Sequence, residues 1–216
     1  MKIDLVDINK YDVYVFDVDG TLYYQNRLRF EMVKRLLFFA IMNPLKIPDL
    51  RLIQMFRSLR ENSDTTEGIY ELIAKKYKKN EVYVKKFIDF WIYENPLSAV
   101  NKTKDSEIIE LINILKNNNK KVAIWSDYKA IDKLKALNLD INYIYTADDE
   151  RVRELKPSPK ALELIKKDFS VSNDKILMIG DRDSKDGEAA RKASVDYIIL
   201  PKDIRGRKRC YASKLK

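Results

Sequence analysis

Two carboxylates, Asp17 and Asp19, stand two residues apart in Asp17-Val18-Asp19-Gly20-Thr21, directly after the apolar run Val13-Tyr14-Val15-Phe16. An aspartate has an ordinary pKa of about 3.9, so Asp17 is expected to be ionised at neutral pH and able to attack phosphorus. Asp19 is then the group to move a proton. It must carry that proton to assist a leaving group, and a neighbouring carboxylate favours the neutral form. Gly20 lets the backbone approach a ligand closely. The same residues also make an ordinary turn, so the pair gains meaning only from what accompanies it.

Three further groups do accompany it. Ser126 follows the apolar run Val122-Ala123-Ile124-Trp125, and its hydroxyl can hydrogen-bond a transferring phosphoryl oxygen. Lys156 opens Lys156-Pro157-Ser158-Pro159, where two prolines fix the backbone and a lysine can neutralise both an attacking aspartate and a phosphoryl group. Gly180-Asp181-Arg182-Asp183-Ser184-Lys185-Asp186-Gly187 follows another apolar run. Its crowded carboxylates would repel one another without a cation. Mg²⁺ takes oxygen ligands, uses one or two carboxylates, and completes its shell with water and substrate phosphate. Asp181 is the expected direct ligand; Asp186 would cap the next helix or orient the metal's waters. The chain has no histidine. That excludes Ser-His-Asp and Cys-His catalysis and His-ligated zinc, and leaves carboxylate chemistry in front.

Groups so far apart in sequence need a scaffold that brings them together. Five short apolar runs supply it: Val13–Phe16, Val122–Trp125, Tyr143–Tyr145, Ile176–Ile179 and Tyr197–Leu200. Helical patterns lie between them, such as Ile108, Ile109, Leu111, Ile112 and Leu115, and a helix starting at Ser158-Pro159 with serine as N-cap. Apolar strands alternating with helices predict an α/β fold with a parallel sheet, whose ligands sit beyond the carboxyl ends of the strands. The polar residues above fall at those ends. The stretch 23–99 offers no strand. It reads as four helices, Arg29–Met42, Pro48–Glu61, Thr66–Lys78 and Glu81–Tyr93, the last with Asn80 as N-cap. It begins immediately after the aspartate turn, so it is a candidate lid.

In their order and spacing these motifs resemble the haloacid dehalogenase superfamily. Asp17-Val18-Asp19-Gly20-Thr21 looks like its first motif, Ser126 the second, Lys156 the third and Gly180-Asp181…Asp186 the fourth. The resemblance implies a Rossmann-like doubly wound parallel sheet core, 1–22 and 100–216, with an inserted all-helical type-1 cap, 23–99. It implies a Mg²⁺-dependent phosphatase in which Asp17 forms an aspartyl-phosphate and Asp19 acts as general acid, then general base. Asp17, the Asp19 carbonyl and Asp181 would bind Mg²⁺, and the amides of Val18 and Asp127 would contact phosphate. An aspartate at position 19 is similar to the phosphatases and mutases of the family and unlike its dehalogenases. Position 127 is often Asn in that family; here it is Asp.

The remaining features bear on partners. Arg27 and Arg29 are candidates to contact a small phosphorylated substrate, since the planar arginine fork suits phosphate and carboxylate. The apolar stripes Leu36-Leu37-Phe38-Phe39 and Phe87, Phe90, Trp91 read as the packed interior of the helical insert rather than a lipid pocket, with a dimer interface as the alternative. The net charge is +9, and the segment from Lys202 to Lys216 holds seven basic residues against one acid. That tail reads as a solvated terminus; its alternative is attraction to nucleic acid or another phosphate-bearing partner. No apolar stretch approaches the roughly 20 residues needed to span a bilayer, and Met1–Lys10 lacks the apolar run of a secretory leader. A single cysteine, Cys210, suits the cytoplasm. A phosphomutase, or a regulatory phosphate- or nucleic-acid-binding protein using the basic tail, are the alternative functions.

Overall fold

Runs of three or four apolar residues with helices between them can bury both faces only if helices cover each side of the sheet, and the chain folds this way. The computed structural model describes residues 8–62 and 68–212. Met1–Asp7, the expected start of a helix at Thr66, and Lys214 and Lys216 of the basic tail lie outside the described residues. Strands β1 (Val13–Phe16), β2 (Lys121–Ser126), β3 (Tyr143–Thr146), β4 (Ile176–Gly180) and β5 (Asp196–Ile199) form one sheet in the order β3-β2-β1-β4-β5. Every neighbouring pair is parallel. Successive side chains of a strand point to opposite faces. Val13 and Val15 therefore join Met178, Ala161, Leu162 and Ile165 in one core. Tyr14 and Phe16 join Ile108, Leu111, Ile112 and Leu115 in the other.

Helices α6 (Ser106–Asn117) and α7 (Ile131–Ala136) cover the second of these faces. Helices α8 (Lys160–Phe169) and α9 (Glu188–Lys192) cover the first. Helix α8 starts one residue after the expected proline, but the Ser158 hydroxyl still accepts the Lys160 amide at 3.2 Å. Beyond β1 the chain leaves the sheet as helices α1 (Gln25–Met42), α2 (Leu50–Asn62), α3 (Ile69–Tyr77), α4 (Glu81–Asp89) and α5 (Leu97–Val100). Pro48 falls in a 3₁₀ turn, Pro44–Asp49, so α2 begins later than its pattern suggested. Asn80 caps α4 as expected, its side chain accepting the Tyr83 amide at 3.2 Å. The helix expected to run to Tyr93 gives way at Phe90–Glu94 to a π turn, which rotates Trp91 and Ile92 inward. The chain's exit and return pair side by side: the Tyr24 amide bonds the Thr103 carbonyl at 2.8 Å and the Asp105 amide bonds the Leu22 carbonyl at 3.0 Å.

The basic tail departs from the sequence reading. It folds as α10 (Ile204–Ala212), and Arg207 is buried rather than solvated. The cause is Asp105, which has no exposed surface and needs a countercharge. Arg207 meets its carboxylate at 2.7 Å, Tyr211 donates to the same oxygen at 2.5 Å, and Arg207 also donates to the carbonyls of Thr21 at 3.0 Å, Gly20 and Pro201. Arg205, Lys208 and Arg209 stay exposed. Removing one member of a buried ion pair costs about 3–5 kcal/mol because the other charge is stranded. Arg207→Met should destabilise the protein by that amount in urea unfolding, whereas Arg209→Met should shift the midpoint little.

Candidate active site

The sheet order puts β1 between β2 and β4, so the residues following these three strands converge at one edge. Asp17 follows β1 and is fixed by its own amide bonding the Ile179 carbonyl of β4 at 2.9 Å. Its carboxylate receives Lys156 Nζ at 2.5 Å on Oδ1 and the Thr21 hydroxyl at 3.0 Å on Oδ2. The same ammonium meets Asp186 Oδ1 at 2.7 Å and the Trp125 carbonyl at 3.3 Å. Asp186 turns its other oxygen to the amides of Asp181 at 3.2 Å and Arg182 at 3.0 Å. It therefore ties down the loop after β4 instead of capping its own helix. Oxygens of Asp17, Asp181 and Asp186 lie within 4.8 Å of one another, all buried.

Two glycines allow this crowding. Gly20 has φ +101° and Gly180 precedes Asp181; a Cβ on either would collide with a carboxylate, Asp181 and Asp186 respectively. Gly20 thus supplies both a left-handed backbone and open space.

Three buried carboxylates cluster around one ammonium, which contacts two of them, and their protonation reflects the shortfall. Burial pushes the Asp17 carboxyl well above the usual range; Lys156 works against this, while Asp186 and Asp181 add to it. Burial, with Asp186 beside it, raises Asp181 to about 6. Burial opposes the Lys156 ammonium, but Asp17 and then Asp186 outweigh it and hold its pKa above the ordinary lysine value. With protein groups alone, Asp17 is not the ordinary ionised aspartate that its composition suggested. Asp181 Oδ1 is buried and has no hydrogen-bond partner. An orphaned oxygen, three clustered carboxylates and a deficit of positive charge are what a hard divalent cation such as Mg²⁺ fits, so Asp17, Asp181 and Asp186 are the residues able to hold one.

Asp19 behaves differently. Its carboxylate turns away from this cluster to Lys133 Nζ at 2.5 Å and to the Tyr23 hydroxyl. Burial would raise its pKa, yet Lys133 and Tyr23 together lower it below the ordinary value. The expectation that a neighbouring carboxylate keeps Asp19 protonated is therefore overturned: a phenol hydroxyl and an ammonium, not a carboxylate, are its closest partners. Lys133 and Tyr23 lie in no motif, and their positions in sequence carried no signal for this role. Thr21 did carry one, since it completes the Asp17–Thr21 turn.

These groups floor a cavity of about 400 Å³, within the range of small-molecule sites. Asp17, Asp19, Asp127, Lys156, Asp181 and Asp186 line it, and Arg29 reaches it from α1. Ser126, Val18 and Arg27 do not. The Ser126 hydroxyl accepts the Tyr128 amide at 3.2 Å, a turn-forming bond. Arg27 lies over the Tyr24 ring, 5.4 Å from its centroid, on the outer side of α1. The Asp127 carboxylate accepts the Lys156 amide at 2.9 Å and so joins the loop after β2 to the loop carrying the lysine. Arg60 of α2, also unforeseen, is buried against Asp148 at 3.1 Å and donates to the Asp127 carbonyl. The apolar stripes are not all interior either. Leu36 and Trp91 line the cavity, while Leu37 and Phe38 face outward.

A family model for haloacid dehalogenase-like hydrolases matches residues 11–194. The parallel sheet, its order and the aspartate-rich edge agree with it, and the chain belongs to that family of hydrolases. No curated protein sequence matches the chain. Among solved structures, the chain is similar to the YfnB HAD-hydrolase of Bacillus subtilis bound to magnesium, with 16% identity, TM-score 0.63, and 88% of this chain and 89% of that one covered. It is similar to a 2-haloacid dehalogenase from Pseudomonas syringae pv. Tomato DC3000, with 15% identity, TM-score 0.63 and coverage of 88% and 86%. It is also similar to a predicted phosphoglycolate phosphatase from Haemophilus somnus 129pt, with 17% identity, TM-score 0.60 and coverage of 88% and 85%. At these identities the likeness is one of fold.

A carboxylate whose pKa rises on folding costs stability above that pKa, and the cost vanishes as the pH falls below the ordinary carboxylate value. Asp181→Asn should therefore stabilise the chelator-treated protein at pH 7.5 by about 2 kcal/mol. The gain should shrink toward zero near pH 4. Thermal unfolding with EDTA across this pH range measures it; a destabilised variant at pH 7.5 would contradict the charge deficit.

Proposed function

We propose that this hydrolase is a Mg²⁺-dependent phosphatase acting on a phosphate monoester of a small molecule. The observation that carries the reading is Asp17 on the cavity floor, held by Lys156 and Thr21 beside two further buried carboxylates. Asp17, Asp181 and Asp186 are the residues that would hold the cation. When bound, Mg²⁺ supplies the missing positive charge, keeps Asp17 ionised and draws the phosphoryl oxygens down. The magnesium bound to the Bacillus subtilis relative supports this choice of ion.

Asp17 attacks phosphorus and forms an aspartyl-phosphate as the bond to the leaving oxygen breaks. Lys156 neutralises charge on Asp17 and on the phosphoryl group. Asp19 donates a proton to the leaving oxygen. It acquires that proton when an anionic substrate settles beside it, because a like charge raises its pKa against the pull of Lys133. Asp19 then takes a proton from water, whose oxygen attacks phosphorus and releases inorganic phosphate from Asp17. Ester cleavage needs such an acid; displacement of a halide does not, and this favours a phosphatase over a dehalogenase. Arg29 is the candidate for the substrate's polar contact, while Arg27 lacks the position for it. In this reading 1–22 and 100–216 are the catalytic core and 23–99 is the cap that closes on substrate. No described helix is long and apolar enough to cross a membrane, and one cysteine allows no internal disulfide, which supports a cytoplasmic setting.

A panel of phosphate monoesters with Mg²⁺ should yield free phosphate, and EDTA should stop it. Asp17→Asn should lower kcat by at least about 10³-fold and Lys156→Met by about 10²-fold. Turnover that survives in Asp17→Asn would falsify the nucleophile assignment.

A further inference from the structure

The cavity is not polar throughout. Leu28, Met32 and Leu36 recur every four residues on one face of α1 and line it. Ile53 of α2 and Trp91 and Ile92 of the π turn complete an apolar wall above the charged floor. A phosphoryl group on that floor would leave the rest of its ester among hydrocarbon. The apolar surface then continues out of the cavity. Val33 both lines it and is 51% exposed. Beside Val33 along α1 stand Phe30 (62% exposed), Leu37 (60%), Phe38 (67%), Ile41 (76%) and Met42 (63%), and the turn that follows adds Leu45 (95%) and Ile47 (47%). Eight large apolar residues thus stand exposed along one short stretch, seven of them more than half exposed, whereas exposed apolar residues on a monomer are usually scattered singly.

The charge around this face indicates what covers it. Of the six basic residues in 25–51, Lys34, Lys46 and Arg51 stand at this face, and the acid beside them is Glu31, paired with Lys34 at 2.8 Å. Lys34 lies 4.3 Å from the Phe30 ring centroid, and Lys46 and Arg51 are exposed beside the apolar turn. A second copy would bring the same positive charge face to face. An apolar helical face edged with lysine and arginine matches the boundary between acyl chains and anionic headgroups.

We propose that the substrate is a lipid phosphate monoester, its hydrocarbon chain leaving the cavity across Val33, and that α1 lays its exposed face on the anionic bilayer supplying it. The proposal rests on the phosphatase reading. Water is consumed, the phosphorus–oxygen ester bond breaks, the lipid alcohol keeps the proton from Asp19, and inorganic phosphate is released.

Two measurements on the full chain test it. In flotation assays the protein should bind vesicles of phosphatidylcholine mixed with phosphatidylglycerol, and bind pure phosphatidylcholine poorly. The double variant Leu37→Glu, Phe38→Glu should lose at least about tenfold of that binding. Both positions are exposed and outside the cavity, so its circular dichroism and its turnover of soluble octyl phosphate should match the parent. With Mg²⁺, kcat/KM should rise at least about 100-fold from ethyl to octyl phosphate as the chain fills the apolar wall. Equal kcat/KM for the two esters would overturn the lipid substrate and leave the phosphatase standing; release of phosphate from neither overturns both. Absence of vesicle binding, with a dimer in light scattering that the double variant dissociates, would assign the face to a second copy instead.

Discussion

Among the described residues, Lys156 is the only ammonium in contact with Asp17 and Asp186, and Asp181 stands beside them without one. Each unbalanced pair of carboxylates at this spacing costs about 3–4 kcal/mol at an effective dielectric near 20. The protein meets that cost in part with the lysine, with the Thr21 hydroxyl, and with the backbone amides of Asp181 and Arg182. What is left over raises the pKa of Asp17 and Asp181. The site is thus incomplete as a set of charges, and on the proposed reading a divalent cation followed by a phosphoryl group would complete it. Asp17, Asp181 and Asp186 would hold such a cation, whose two positive charges would leave the floor no longer negative toward a phosphoryl group.

Holding such a cluster requires a rigid frame, and the sheet supplies it. Strand β1 lies between β2 and β4, with crossovers passing to opposite faces, so their carboxyl ends open a crevice where the topology switches direction. Asp17, Asp127 and Asp181 leave the sheet at its edge, each just after a strand whose side chains are almost wholly buried. Gly20 and Gly180 then leave out Cβ atoms that would collide with Asp181 and Asp186. Two arginines brace the loops from behind. Arg207 takes the carbonyls of Gly20 and Thr21, and Arg60 takes that of Asp127.

The sheet was legible in the sequence because each strand is a short apolar run with a helical pattern on either side. All five expected runs lie within a residue or two of their observed strands. The groups at their ends were legible for the same reason, since a strand's carboxyl end is where a ligand can reach. Contacts made by chemistry without a pattern were not legible. Lys133 sits on a helix with no motif around it, yet it sets the charge state of Asp19. Arg207 pairs with Asp105 across 102 positions, and a basic tail gives no sign of which arginine is buried. Ser126 is at the expected strand end, but its hydroxyl turns to the Tyr128 amide, a choice made by local backbone geometry.

The helical insert was the least legible part, for a reason that bears on what it does. Hydrophobicity marks residues that avoid water and does not say what shields them. Leu36, Leu37, Phe38 and Phe39 are consecutive, so on a helix they point in four directions. Phe39 packs on Phe87 and Trp91 inside the insert, Leu36 faces the cavity, and Leu37 and Phe38 face outward. A helix apolar around most of its circumference needs partners on most sides. Helix α1 has one in the insert core and half of another in the cavity wall, which an apolar substrate would complete. Its remaining side lacks a covering layer among the described residues. The constraint at the floor and the constraint at the wall are therefore alike: each is a surface that a bound group would satisfy, a cation and an anion below and hydrocarbon above on the reading proposed.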